Sequence, residues 1–163
     1  MKKLNLIGIG FSLLVLLAGE KADAQNQKAA SVGPLMIVNT KAMRNFVKSY
    51  ESAVDPEWVS LKDGGYLCRF VIDNVRCRAF YGEKGAWLLT LASYEENKLP
   101  RDIRAIVRNS YYDYTITYVD EISAPGRSRI YLVQIQDDKG IKMLRVSDGE
   151  METVRELVKL QAR

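Results

Sequence analysis

Residues 66–81 read Tyr66-Leu67-Cys68-Arg69-Phe70-Val71-Ile72, Asp73-Asn74, Val75-Arg76-Cys77-Arg78-Ala79-Phe80-Tyr81. Two runs rich in β-branched and aromatic residues flank a two-residue Asp-Asn step, the pattern of a tight β-hairpin. Such a turn sets Ile72 opposite Val75, Phe70 opposite Cys77 and Cys68 opposite Ala79. Side chains alternate across a strand, so this register separates two faces. One face holds Tyr66, Cys68, Phe70, Ile72, Val75, Cys77, Ala79 and Tyr81, continued by Ala86, Leu88 and Thr90. These residues are apolar and mostly modest in size, a surface suited to a covering helix. The other face holds Leu67, Arg69, Val71, Arg76, Arg78 and Phe80, continued by Trp87, Leu89 and Leu91.

The flanking sequence builds a sheet around this hairpin. Upstream, Asn39 or Thr40 caps a predicted helix with Ala42, Met43, Phe46, Val47 and Tyr50 at helical spacing, ended by Asp55-Pro56. A strand over Trp58–Lys62 then reaches the Asp63-Gly64-Gly65 turn. Downstream, Gly82-Glu83-Lys84-Gly85 turns the chain into a strand over Ala86–Ala92. Leu99-Pro100 opens a second helix, with Pro where its missing N–H costs little, and Ile103, Ile106, Val107 and Tyr111 form its apolar stripe. Strands follow at about 114–122, 129–136 and 141–147, with Pro125-Gly126 in the first connection. After Asp148-Gly149, the spacing of Met151, Val154, Leu157, Val158 and Gln161 predicts a C-terminal helix.

The order of elements occurs twice. Tyr66-x-Cys68-x-Phe70 answers to Tyr131-x-Val133-x-Ile135, Asp73-Asn74 to Asp137-Asp138-Lys139-Gly140, and Gly85 to Gly149, at offsets of about 60 to 65 residues. The expected fold class is α+β, a tandem repeat of a helix plus an antiparallel meander sheet. Repeat one runs over about 39–94 and repeat two over about 99–163, the second exchanging its fourth strand for the terminal helix.

The start of the chain is an address. Lys2 and Lys3 precede an apolar run from Leu4 to Gly19, and Ala22-Asp23-Ala24 is a small-x-small cleavage site, so residues 1–24 read as a secretory signal peptide cut after Ala24, with Ala22 and Ala24 as the recognition pair. The run is short for a membrane span and is interrupted by Asn5, Gly8 and Gly10. Residues 25–34 form a polar, aperiodic lead-in, and the folded domain covers 35–163. Removing Lys2, Lys3, Lys21, Glu20 and Asp23 from 24 basic and 20 acidic residues leaves 21 and 18, a net charge of +3. So mild an excess, without a clustered patch on a recognised fold, does not point to nucleic acid. A periplasmic or secreted chain without a membrane span after cleavage is expected.

The composition excludes several chemistries. The chain has no His, which removes His-based triads, His metal sites and the commonest general base. Cys68 and Cys77 are too few for a thiolate zinc site and are not spaced as a CxxC redox pair. Export invites a disulfide between them, but the hairpin register sets them diagonally, so a bridge needs a bulge or a shifted register. Glu95-Glu96, Asp120-Glu121 and Asp137-Asp138 are adjacent pairs, and neighbouring side chains in extended backbone point apart. Asp137-Asp138-Lys139-Gly140 lacks the spacing and closing Glu of an EF-hand. No catalytic residue, cofactor or metal is expected. The cluster Tyr111, Tyr112, Tyr114 and Tyr118 reads first as packing, with a stacking surface as the alternative.

What remains is a surface. Arg69 lies opposite Arg78, and like charges directly opposed are mildly destabilising unless neutralised. Arg and aromatic residues are enriched where proteins bind proteins. Arg69, Arg76, Arg78, Phe80, Trp87 and Leu89 are therefore the candidate partner-binding residues, for an unidentified envelope protein. The alternative is that Trp87 and Leu89 pack against the second half while the arginines reach water along their stems.

Trp58, Tyr66-x-Cys68-x-Phe70, Gly85-Ala86-Trp87, and Leu99-Pro100 ahead of the Tyr-rich segment resemble the PepSY-like proteins exported by Bacteroidetes-type bacteria. The likeness spans roughly Thr40 to Met151. It implies the fold of the β-lactamase inhibitor protein, with helices on one side of an antiparallel sheet and the other side free to grip a protein. It also implies a non-catalytic binding module acting as an inhibitor or sensor. The competing expectation is a structural or assembly subunit that uses the same face as a permanent oligomer contact.

Overall fold

The Asp73-Asn74 step takes the conformation its residues favour. In the computed structural model, which describes residues 38–159, both have positive φ, 50° and 60°. This left-handed pair is the turn whose twist matches flanking strands. It joins β2 (Tyr66–Ile72) to β3 (Val75–Tyr81) in the expected register, Ile72 with Val75, Phe70 with Cys77 and Cys68 with Ala79. The predicted signal peptide with Ala22 and Ala24, the predicted lead-in and Gln161 lie outside the described residues.

The chain runs α1 (Thr40–Ser49), β1 (Val54–Ser60), β2, β3, β4 (Trp87–Tyr94), a 3₁₀ turn (Glu96–Lys98), α2 (Arg101–Ser110), β5 (Thr115–Ser123), β6 (Ile130–Gln136), β7 (Gly140–Ser147) and β8 (Glu150–Val158). All eight strands form one antiparallel sheet in sequence order. Within each half short turns deliver each strand next to its predecessor, and between β4 and β5 the 3₁₀ turn and α2 cross over the sheet to the same result.

The C-terminal helix is not present: residues 150–158 are a strand paired along β7, from Ser147 with Glu150 to Gly140 with Val158. Asp148 and Gly149 have φ of 54° and 80°, the same turn geometry as Asp73-Asn74. The turn returns the chain onto β7 before a helix can start. The apolar spacing misled because β8 is an edge strand, exposed at every position but Met151, and carries no alternation to contradict a helical period.

Each helix covers one half of the same sheet face. Asn39 caps α1, its side chain accepting from the Lys41 N–H at 2.9 Å. Ala42 and Phe46 of α1 enter a core with Cys68, Phe70, Cys77, Ala79 and Tyr81. Phe46 packs edge-on against Phe70 (5.0 Å between centroids) and Trp58 (5.5 Å). The stripe is narrower than predicted, since Met43 and Val47 are 47% and 63% exposed. Ile103 and Val107 of α2 cover Val119, Val133, Ile135, Leu144 and Val146 in a second core. Glu96, in the 3₁₀ turn that precedes α2, accepts from the guanidinium of Arg108 in the last turn of α2 at 2.8 Å.

The two cores meet at β4 and β5, where Ala92 pairs with Glu121 and Tyr94 with Val119. Glu121 is a carboxylate on the helix-covered face, its side chain 17% exposed. It accepts from the Tyr94 hydroxyl at 2.7 Å and pairs with Arg129 at 3.3 Å, the compensation a nearly buried charge requires. Cys68 and Cys77 are both buried and free. The ladder between β2 and β3 is regular, so the bulge or register shift that a bridge needs does not occur.

Candidate functional site

Neither helix covers the second face of the sheet, and most of its side chains reach solvent, though Leu67 and Ser93 are buried. The register arranges them in rows across the strands. One row runs Val59, Leu67, Phe80 and Leu89. The next runs Glu57, Arg69, Arg78, Leu91, Ile122 and Ile130. A third runs Val71, Arg76, Ser93, Asp120, Leu132, Arg145 and Glu152.

The structure brings five of the six candidate residues together on this face. Arg69, Arg76 and Arg78 are exposed, and Phe80 and Leu89 are half-buried beside them. Trp87 is the exception. A bulge between Phe80 and Tyr81 inserts one residue into β4, so Trp87 pairs with Tyr81 on the helix-covered face. There it packs on the first core, and its indole N–H donates to the Thr90 hydroxyl at 3.0 Å. Tyr50 shares the same hydroxyl. Leu88 occupies the bulge and is 51% exposed, instead of joining the core as the simple alternation predicts.

Arg69 and Arg78 are directly opposed. Glu57 relieves Arg69 at 3.6 Å, but both side chains are more than half exposed, so the pair is worth little. Arg76 and Arg78 make no ion pair among the described residues. They border an open depression of about 420 Å³ lined also by Asp55, Glu57, Val71, Ser93 and Tyr118. Asp120, next to Ser93 in the third row, is held by the Ser93 hydroxyl, which donates to Oδ1 at 2.6 Å. Such a face, with cationic groups over a half-buried apolar floor, suits binding of an anionic and apolar partner surface.

Sequence reasoning missed Glu57, Ser93 and Asp120, and it read Tyr118 within a tyrosine cluster and not with the arginines. Asp120 and Glu121 lie within β5 and point to opposite faces, as adjacent residues of a strand do, Asp120 to the bare one and Glu121 to the covered one. Extending the alternation from β4 across to β5 would have found them, but only with the β4–β5 register in hand. Among the described residues no helix is long and apolar enough to cross a membrane, and no group of His, Cys, Asp and Glu is placed to hold a metal ion.

No family model matches the chain, and no curated protein matches it. Solved structures do. A BLIP-like protein from Bacteroides fragilis superposes with a TM-score of 0.59 at 18% identity, over 78% of this chain and 92% of that one. A DUF2874 family protein from Bacteroides ovatus gives 0.59 at 16% identity, over 76% and 89%. A protein from Bacteroides eggerthii, provisionally assigned to the periplasm, gives 0.58 at 16% identity, over 76% and 90%. Identities this low speak to architecture alone, and the architecture agrees over most of each chain: two helices on one side of an antiparallel sheet is, in this protein, the BLIP-like α+β fold.

Proposed function

We propose that the chain is a non-catalytic, exported protein-binding module of the periplasm, using the bare sheet face as its contact surface to inhibit or sense an envelope protein. One observation carries the reading: both helices lie on one face, while the other presents Arg69, Arg76, Arg78, Phe80 and Leu89 to solvent. Apolar residues beside uncompensated arginines make a poor solvated surface and a good interface. The periplasmic assignment draws on the signal-like residues 1–24 and on the provisional assignment of the Bacteroides eggerthii protein. The PepSY-like relationship belongs to the same proposal. So does an internal duplication, supported by a helix and four antiparallel strands occurring twice in succession.

The test is a pull-down from envelope extract with the mature protein and with Arg78→Glu. Arg78 is exposed, so the variant keeps its fold, and a partner captured by wild type alone supports the proposal. Identical captures from both sink the sheet-face reading. The second reading, an assembly subunit, draws on the apolar strip Leu91, Ile122 and Ile130, which continues across β4–β6. Light scattering separates the two: a stable homo-oligomer dispersed by Leu91→Asp favours assembly, and a monomer favours the binding module.

A further inference from the structure

We propose that Arg76 and Arg78 take the carboxylates of an acidic, extended segment of the partner protein, whose next apolar side chain settles on Phe80 and Leu89. The inference rests on the bare face being the binding surface and names the chemistry that surface recognises.

Charge complementarity is its first support. Three arginines share adjacent rows of β2 and β3, with Arg69 directly against Arg78. The acids lining the depression, Asp55 and Glu57, are both on edge strand β1, and Glu57 is engaged with Arg69. On the opposite side Arg78 faces Leu91 and Arg76 faces Ser93, which offer no charge. The Ser93 hydroxyl is committed to Asp120. Arg76 and Arg78 thus retain their donors for a carboxylate that arrives from outside, the anion that a guanidinium fork matches best.

Spacing supplies the rest. Arg76, Arg78 and Phe80 alternate along β3 with one face in common, so successive side chains stand about 7 Å apart. A partner strand has the same period. Lying along β3, it places acidic, acidic and apolar side chains at every second residue over Arg76, Arg78 and Phe80. Carboxylates without the apolar residue, or the reverse, satisfy only part of the surface.

Two labelled peptides test this, Glu-Ser-Glu-Ser-Phe and Gln-Ser-Gln-Ser-Phe, titrated by fluorescence anisotropy. The full mature protein is compared with Arg76→Gln/Arg78→Gln and with Leu89→Asp, each checked for an unchanged circular dichroism spectrum. The expected result is at least about tenfold tighter binding of the Glu peptide to wild type, weakened by salt, and lost in the double variant. Equal binding of both peptides, abolished only by Leu89→Asp, overturns the carboxylate assignment while leaving the bare face as a binding surface. Binding of neither peptide also overturns the assignment, and the pull-down then decides the wider reading by itself. Cosedimentation with phosphatidylglycerol vesicles that depends on Arg76 and Arg78 overturns it too, by giving those arginines to a lipid surface.

Discussion

Burial decides the chemistry of the two thiols. It pushes the Cys68 thiol up to about 12, and burial followed by the Glu121 charge pushes Cys77 up to about 11. Thiolate is the reactive form, so both should resist iodoacetamide at pH 8 in the native state and react fully after denaturation. Alkylation of either in the folded protein would contradict the placement. The same shifts give a stability trend. An unfolded thiol ionises near pH 8.5, well below Cys68 in the fold. Between those values the native state holds more protons than the unfolded state, so stability is complete below about pH 8 and falls as pH rises toward 11 or 12. Burial also raises the Tyr81 and Tyr94 hydroxyls, which steepens the alkaline loss. Melting temperatures from pH 7 to 11 should decline monotonically, and a flat profile would contradict it. The diagonal offset of the two cysteines was legible from a two-residue turn alone, because a tight hairpin leaves one register.

At the scale of elements, what could be read depended on whether the local pattern had a competitor. Asp73-Asn74 between alternating runs had none, and its register held across all seven pairs of β2 and β3. The terminal segment had one, since Met151, Val154 and Leu157 fit a helical period as well as an exposed strand. Only the turn at Asp148-Gly149 decided between them. The bulge at Phe80/Tyr81 left no local mark at all, because one inserted residue reverses every later side chain without changing composition. Trp87 moves for that reason from the arginine face to the core, and its mutant behaviour changes sign of meaning. Trp87→Ala removes half-buried aromatic surface and the bond to Thr90, and should cost about 2–3 kcal/mol, below the range for a fully buried Trp. It should leave partner capture intact at temperatures where the variant stays folded. Urea titration gives the first quantity, and a pull-down with Trp87→Ala beside Arg78→Glu gives the second. Lost capture at full stability would put Trp87 back on the surface.

At the scale of the molecule, one sheet has to unite two separate cores. Among the described residues the β4–β5 ladder is the strand pairing that spans them, with five pairs from Thr90–Ser123 to Tyr94–Val119. Polar bridges clasp the ladder on both faces: Ser93 to Asp120 on the bare side, and Tyr94 to Glu121 to Arg129 on the covered side. None of this was legible beforehand, since Asp120-Glu121 reads in sequence as one more exposed acidic pair. The half-buried Tyr94 hydroxyl is left short of an acceptor, whereas Arg129, 65% exposed, turns to water. Glu121→Ala should therefore cost about 1–3 kcal/mol. Because the loss falls on the joint between the cores, it should also loosen their cooperativity. Both tryptophans, Trp58 and Trp87, pack on the first core, so Trp fluorescence follows that half while far-ultraviolet circular dichroism follows both. In wild type the two urea transitions should coincide, as for a single cooperative unit. In Glu121→Ala combined with Ser93→Ala they should separate, with a fluorescence midpoint distinct from the dichroism midpoint. Coincident transitions in the double variant, at whatever midpoint, would show that the backbone ladder alone couples the halves and that the bridges add stability without cooperativity.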